Sequence, residues 1–201
     1  MYPIKRIYEN METTMDNEKR LLTTREMTLI AMFAAVITVC SFIRIPIGSI
    51  PFTMQTFAVF TVIGILGIKR GVITVVLYEL LGLVGLPVFG GKGGLSVITG
   101  PTGGYITGFI LSVLIAGSII KYVNVNGIWF KRIVMFIALL LGDAACFIIG
   151  TFQFMQVSGN DLKTSMTYCV TPFIIPDIVK MILAIVIIER IKPFTDNIFS
   201  K

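Results

Sequence analysis

Four ionisable residues lie inside strongly apolar stretches of this sequence: Glu79, Asp143, Asp177 and Lys180. Each such group costs at least ~2.5–3.5 kcal/mol at the centre of a membrane helix, so it faces a partner or a polar cavity. Asp177 and Lys180 are three residues apart and share one helix face. Two readings stay open for them: a salt bridge that neutralises both within the membrane, or a polar site. In such a site the carboxylate accepts hydrogen bonds from N–H donors and the ammonium meets a carbonyl or carboxylate oxygen. Pro172 and Pro176 place the pair near the external end of its span. Glu79 and Asp143 lie deeper, at ~12 Å and ~16 Å from their cytoplasmic ends by helix rise. They are either protonated and hydrogen-bonded between helices or engaged in transport.

A second signal is the segment Gly85-Leu-Pro-Val-Phe-Gly-Gly-Lys-Gly-Gly-Leu-Ser-Val-Ile-Thr-Gly-Pro-Thr-Gly-Gly-Tyr105, with eight glycines and two prolines between apolar runs. Irregular backbone at membrane depth is tolerated where protein or a polar cavity satisfies its amides, and a ligand site is the natural occupant. It is not a P-loop, because Gly85 and Gly90 are followed by Gly91, and Lys92 is followed by Gly93 rather than Ser or Thr. The chain therefore carries no ATPase site of its own. It has no histidine, and Cys40, Cys146 and Cys169 show no metal-ligand spacing. Metal sites, imidazole relays and Ser-His-Asp catalysis are excluded, no cofactor is expected, and an enzyme is not the expectation. Arg44 either snorkels at the outer interface or clamps an anionic group.

The elements that must position these groups are membrane helices. With 55% hydrophobic residues and a mean hydropathy of +0.90, the 201-residue chain reads as an all-α integral membrane protein. Six spans are expected, at about 24–43, 52–68, 71–86, 102–121, 132–155 and 173–191, the second and third shorter than the ~20 residues of a full crossing. Of 17 Lys and Arg, all but Arg44, Lys92, Lys163 and Lys180 fall on one side. The positive-inside rule then places both termini in the cytoplasm, and the +6 net charge reports topology rather than nucleic-acid binding. The expected organisation is a cytoplasmic arm (1–23), a six-helix membrane domain (24–192) and a cytoplasmic tail (193–201). External loops cover 44–53, the glycine-rich segment, and 156–172 with a turn at 158–161. No repeat of fixed period and no duplication of halves is present, which weighs against repeat-built transporters. Ala31 and Ala35, and Gly100, Gly104 and Gly108, repeat at one-turn spacing that permits close helix approach. For Gly104 and Gly108 packing within the monomer is the reading; for the alanines the pattern alone does not decide.

Gly85-Leu-Pro-Val-Phe89 followed by Gly100-Pro-Thr-Gly-Gly-Tyr-Ile-Thr-Gly-Phe109 resembles the signature of the BioY family, the biotin-binding S components of energy-coupling factor (ECF) transporters. Pro51-Phe-Thr-Met-Gln-Thr56 resembles that family's first external loop and second span, and Pro172-Phe-Ile-Ile-Pro-Asp-Ile-Val-Lys180 its last-span motif. The resemblance runs from about Thr24 to Lys192. It implies a multi-pass protein of a bacterial-type plasma membrane that captures biotin from outside and docks on a module of a transmembrane coupling subunit and two ABC-type ATPases. ATP hydrolysis there would topple the S component and release the vitamin inside. It further implies that Ala31 and Ala35 contact the coupling subunit. Lys92 is an unusual charge among the glycines.

Biotin offers ureido N–H donors and a carbonyl, an apolar thiophane and a valerate carboxylate. The implied substrate set is Asp177 and Lys180 as polar complement, Tyr105 and Phe89 as apolar wall, Gly91 and Gly94 where backbone approaches closely, and Thr53 and Gln55 from the second-span motif. Two other classes are weighed against this one. A stand-alone proton-coupled transporter would use Glu79 or Asp143 and work without an ATPase partner. A purely structural subunit would not need charges beside glycine-rich external loops.

Overall fold

The protein is described by a computed structural model over residues 22–46 and 50–199. Helix α1 (Thr24–Phe42) begins at a capping box: the Thr23 amide donates to the Glu26 carboxylate at 2.7 Å and the Glu26 amide to the Thr23 hydroxyl at 3.3 Å. Two first-turn amides that a helix leaves unpaired are thereby satisfied. The remaining elements are β1 (Arg44–Ile45), β2 (Phe52–Thr53), α2 (Gln55–Leu83), α3 (Leu95–Ile98), α4 (Gly103–Tyr122), α5 (Ile128–Ser158), α6 (Leu162–Cys169) and α7 (Ile174–Phe199).

The 29 residues of α2 are not one rod. Straight, they would hold Gln55 and Tyr78 ~34 Å apart, yet the Gln55 side-chain amide donates to the Tyr78 hydroxyl at 2.5 Å. The reversal is at Gly67, whose φ of 69° and ψ of −168° belong to a region that glycine alone occupies at low cost. The arms, residues 55–66 and 68–83, correspond to the two short spans expected from the sequence. Among the described residues four helices, α1, α2, α4 and α5, are long and apolar enough to cross a bilayer, and α6 with α7 makes a further candidate across a 44° bend. Counting the two arms of α2 separately gives six.

The first arm of α2 is the axis of the bundle: every residue from Ala58 to Leu66 is buried, the pattern of a helix with neighbours all round. A Cβ on Gly64 would strike Ile188 of α7, and one on Gly71 would reach Val113 of α4 at 3.0 Å. On α4, a Cβ at Gly104 would lie 2.7 Å from the Ile149 carbonyl, and one at Gly108 would lie 2.9 Å from the Cys146 sulfur. That is the monomer packing expected of these two glycines. Ion pairs tie the opposite end of the bundle: Arg70 to Glu26 between α2 and α1, and Arg132 to Glu189 at 2.7 and 2.9 Å between α5 and α7.

Several boundaries differ from the sequence expectation. The loop expected over 156–172 is largely helix: α5 runs on to Ser158, Gly159 ends it in the left-handed region, and α6 follows. The last span continues through Pro193 to Phe199, since one proline removes one amide donor without dissolving a packed helix. The first external loop contains the paired two-residue strands β1 and β2, antiparallel with Arg44 opposite Thr53 and Ile45 opposite Phe52. Residues 47–49 of that loop, most of the expected cytoplasmic arm and the last two residues of the tail lie outside the described residues.

Candidate functional site

A cavity of about 300 Å³ lies at the end of the bundle that carries the glycine-rich segment, at the lower limit of the ~300–1,000 Å³ usual for small-molecule pockets. The polar floor comes from α7. Lys180 donates to the Thr53 carbonyl at 2.7 Å, the Thr56 hydroxyl at 2.9 Å and Asp177 Oδ1 at 2.7 Å. The Thr56 hydroxyl in turn donates to Asp177 Oδ1 at 3.1 Å. Lys180 Nζ also lies 4.0 Å from the Phe52 ring centroid, a cation–π contact. Side-chain exposure is 4% for Lys180 and 3% for Asp177. An ammonium has three donors, and all three are occupied by the protein. Asp177 differs: Oδ1 takes both bonds, and Oδ2 accepts none among the described residues, although Asp177 lines the cavity. The pair is thus an internal ion pair in which Lys180 is fully partnered and one cavity-lining Asp177 oxygen is not, among the described residues.

The cavity's charge reverses toward solvent. Arg44 and Lys92 line it and are exposed, and no carboxylate pairs with either among the described residues. Between floor and mouth the wall is aromatic. Tyr105 meets Phe147 edge to face with ring centroids 6.1 Å apart, and Phe147 meets Phe173 at 6.4 Å. Phe89 closes the other side against Tyr78 at 5.3 Å.

The glycine-rich segment folds by local turn chemistry. Phe89 and Lys92 exchange backbone hydrogen bonds at 2.9 and 3.2 Å around Gly90 and Gly91, whose φ values are 61° and 84°. Two positive φ angles in a two-residue turn are the type I′ pattern that favours glycine at both positions. Ser41 receives the Gly90 amide at 2.9 Å and lies 2.7 Å from the Val88 carbonyl, which Tyr78 also reaches at 3.3 Å. From Tyr78 the chain of bonds passes to Gln55, whose Oε1 accepts from the Thr53 hydroxyl at 3.0 Å, and through the Thr53 carbonyl to Lys180. At the far end of the segment, Gln153 of α5 donates to the carbonyls of Ile98 and Gly100 at 2.7 and 2.8 Å.

Of the substrate-site residues expected from sequence, Thr53, Gln55, Phe89, Tyr105, Asp177 and Lys180 converge on the cavity. Gly91 and Gly94 do not line it. Gly91 is a turn residue, and Gly94, with φ of 92°, donates its amide to Gly82 at 2.7 Å, so both shape the loop instead. Ala31 and Ala35 are exposed on α1, away from the cavity. Glu79 is half-buried with Oε1 lacking a hydrogen-bond partner among the described residues, and Asp143 reaches the cavity wall. Sequence reasoning did not single out Thr56, Ser41, Phe147 or Phe173. Thr56 is adjacent to Gln55 and looks like any helix threonine until α7 is packed beside it.

The sequence matches the BioY family over residues 11–197. Biotin transporter BioY2 of Lactococcus lactis subsp. cremoris (strain MG1363) is 39% identical over 158 residues, which is 78% of this chain and 84% of that protein. Biotin transporter BioY of Thermotoga maritima is 34% identical over 169 residues, covering 84% of this chain and 96% of its own. A crystal structure of the S-component for biotin from an ECF-type ABC transporter shares the fold with a TM-score of 0.74 at 30% identity, over 86% of this chain and 95% of that one.

Proposed function

This chain belongs to the BioY family, and from that premise we propose that it holds biotin with the ureido ring at the Asp177 floor and the valerate carboxylate toward Arg44 and Lys92. It is the biotin-binding S component of an ECF-type uptake transporter, a multi-pass protein of the plasma membrane and not an enzyme. The observation that carries the orientation is the reversal of charge along the cavity. An open carboxylate oxygen at the floor suits an N–H donor, and two exposed cations at the mouth suit an anion. The thiophane ring then lies against Tyr105, Phe147 and Phe173, where apolar burial supplies most of the affinity.

In this reading Asp177 touches the ligand and Lys180 acts through Asp177, because the lysine's donors already have protein acceptors. Energy comes from an ECF module, for which we infer a transmembrane coupling subunit and two ABC-type ATPases. We assign Ala31 and Ala35 to docking on the coupling subunit. Their exposure on one stripe of α1 supports this, as small residues let a partner helix approach closely. Calorimetry on the purified full chain tests the ligand. Biotin and desthiobiotin bind, whereas lipoate, which shares the carboxylate tail and lacks the urea, does not. Folded protein giving no heat with micromolar biotin, or tight lipoate binding without biotin binding, refutes the assignment. Biotin methyl ester binding the parent as tightly as biotin refutes the orientation.

A further inference from the structure

Asp143 is the one cavity-lining carboxyl for which no role has yet been derived. It lies near the middle of α5, is 5% exposed, and accepts no hydrogen bond from any described residue. Its direction is fixed by the helix: Cys146 and Phe147, three and four residues on, line the same cavity, as positions on one helical face do. On its other side is an apolar cleft of about 560 Å³ between α5, α6 and α7. The other polar side chain there is Thr151, two turns along α5 and bonded at 3.4 Å toward Tyr105. The cleft therefore gives Asp143 no partner, and the cavity is its polar outlet. A carboxyl left without a partner in a membrane interior is costly, and the neighbouring Lys180 has no donor to spare for it.

We propose that Asp143 is a specificity-determining contact in the biotin cavity, its carboxyl accepting a hydrogen bond from one ureido N–H while Asp177 Oδ2 accepts one from the other. A cyclic urea presents two N–H donors on opposite sides of its carbonyl, and the deep end of the cavity presents two carboxyls from different helices, α5 and α7. One of them is anchored by Lys180 and Thr56; the other is anchored by no described residue, so the ligand completes it. The pairing favours ligands with both urea N–H groups intact and disfavours compounds that keep the ring shape but have lost one of them.

The proposal rests on the biotin reading above, and its test separates the two. Calorimetry is run on the full-length parent, Asp143→Asn and Asp143→Leu, each with biotin, 1′-N-methylbiotin and 3′-N-methylbiotin. Asp143→Leu replaces a membrane-buried carboxyl by an apolar group of the same branching, and its fold is verified by a cooperative thermal transition. Biotin affinity falls about 3- to 10-fold in Asp143→Leu, the range for a single uncharged hydrogen bond, and less in Asp143→Asn, which keeps an acceptor oxygen. One N-methyl isomer binds the parent correspondingly weakly and loses little more in Asp143→Leu. If the parent binds biotin tightly and Asp143→Leu binds it equally well, the contact does not exist, although the family function stands. The proposal also fails if both isomers bind the parent like biotin, or if the methyl penalty is undiminished in Asp143→Leu; should that variant not fold, the parent's response to the two isomers decides alone. Failure of the parent to bind biotin overturns the underlying reading instead.

Discussion

Replacing Lys180 by Met separates the internal role of the lysine from the ligand role of the aspartate. The substitution removes bonds of 2.7, 2.9 and 2.7 Å to the Thr53 carbonyl, Thr56 and Asp177 in one step. It leaves Asp177 as an uncompensated carboxylate in a site with 3% side-chain exposure. Breaking a buried pair from one side costs about 3–5 kcal/mol, so Lys180→Met lowers the thermal transition of detergent-solubilised protein markedly. Biotin affinity also falls, because Asp177 is no longer held in place. Asp177→Asn keeps the shape but removes the charge facing the ureido donors, and it weakens biotin by about 1.5–3 kcal/mol. The double variant carries neither charge, so the desolvation penalty of an isolated ion is gone and most of the thermal stability returns. The lost affinity does not return, since the ligand's acceptor has been replaced. Melting curves and biotin titrations on all four proteins complete a cycle of the kind that isolates a coupling term. A double variant that binds biotin like the parent shows that the pair serves only itself and refutes the assignment of Asp177. Unchanged stability in Lys180→Met refutes the structural role of the lysine.

Ala31→Trp or Ala35→Trp abolishes ATP-driven uptake in cells while leaving biotin affinity of the isolated protein nearly unchanged, because both residues are exposed on α1 and outside the cavity; loss of binding alongside transport would place them in the monomer's own packing. Gly67→Ala meets no atom within 4 Å, so its cost is backbone strain alone, about 1–3 kcal/mol, measured as a lower thermal transition; an unaltered transition would mean that the reversal in α2 does not require glycine. Gln153→Leu strips the donor from the Ile98 and Gly100 carbonyls, lowering stability by about 1–3 kcal/mol and weakening biotin, since Val97 and Pro101 beside them line the cavity. Glu79→Gln leaves ATP-driven uptake intact; abolished uptake, or uptake by the parent without an ATPase partner, would favour proton coupling instead.

The parts of this site that were legible in the sequence share one physical property: each breaks the rule of its surroundings. A charge in an apolar helix, as at Asp177 and Lys180, or glycines between spans, as at Gly90 and Gly91, is costly or structurally permissive enough to stand out without a structure. What stayed hidden follows the local rule and acquires its role from distant partners. Thr56 bonds Asp177 across 121 residues, and Arg70 meets Glu26 across 44. Phe147 and Phe173 are ordinary membrane phenylalanines until α5 and α7 bring their rings together. Helix α6 was missed because Leu162-Lys-Thr-Ser-Met-Thr-Tyr-Cys169 is polar and rich in weak helix formers; it is held by packing, with Ser165 and Cys169 both fully buried. The glycines show the converse limit. Their density announced a ligand site, yet composition could not tell Gly90, on the cavity wall, from Gly91, which serves the turn.

The cavity's two ends impose different requirements on release. Toward solvent it is lined by Arg44, Thr53 and the glycine-rich segment, and that segment is tied to α1 by the Gly90 amide on Ser41 and to α2 by Tyr78 on the Val88 carbonyl. Each is worth about 0.5–1.5 kcal/mol net, and buried Val88 and Phe89 add packing against the core. Past the floor, the route leads between Ile63, Leu66 and Ile188, exposed by 1%, 3% and 1%, toward a bundle end clamped by the Arg70–Glu26 and Arg132–Glu189 pairs. Opening a channel there would separate the central arm of α2 from α7 and forfeit the packing that supports Lys180 itself. On the proposed function, the whole-body turn that the family resemblance implies would release the ligand inward with this core intact, driven by the ECF module. In that proposal the exposed Ala31 and Ala35 on α1 would be the docking contact, since small residues let a partner helix approach closely.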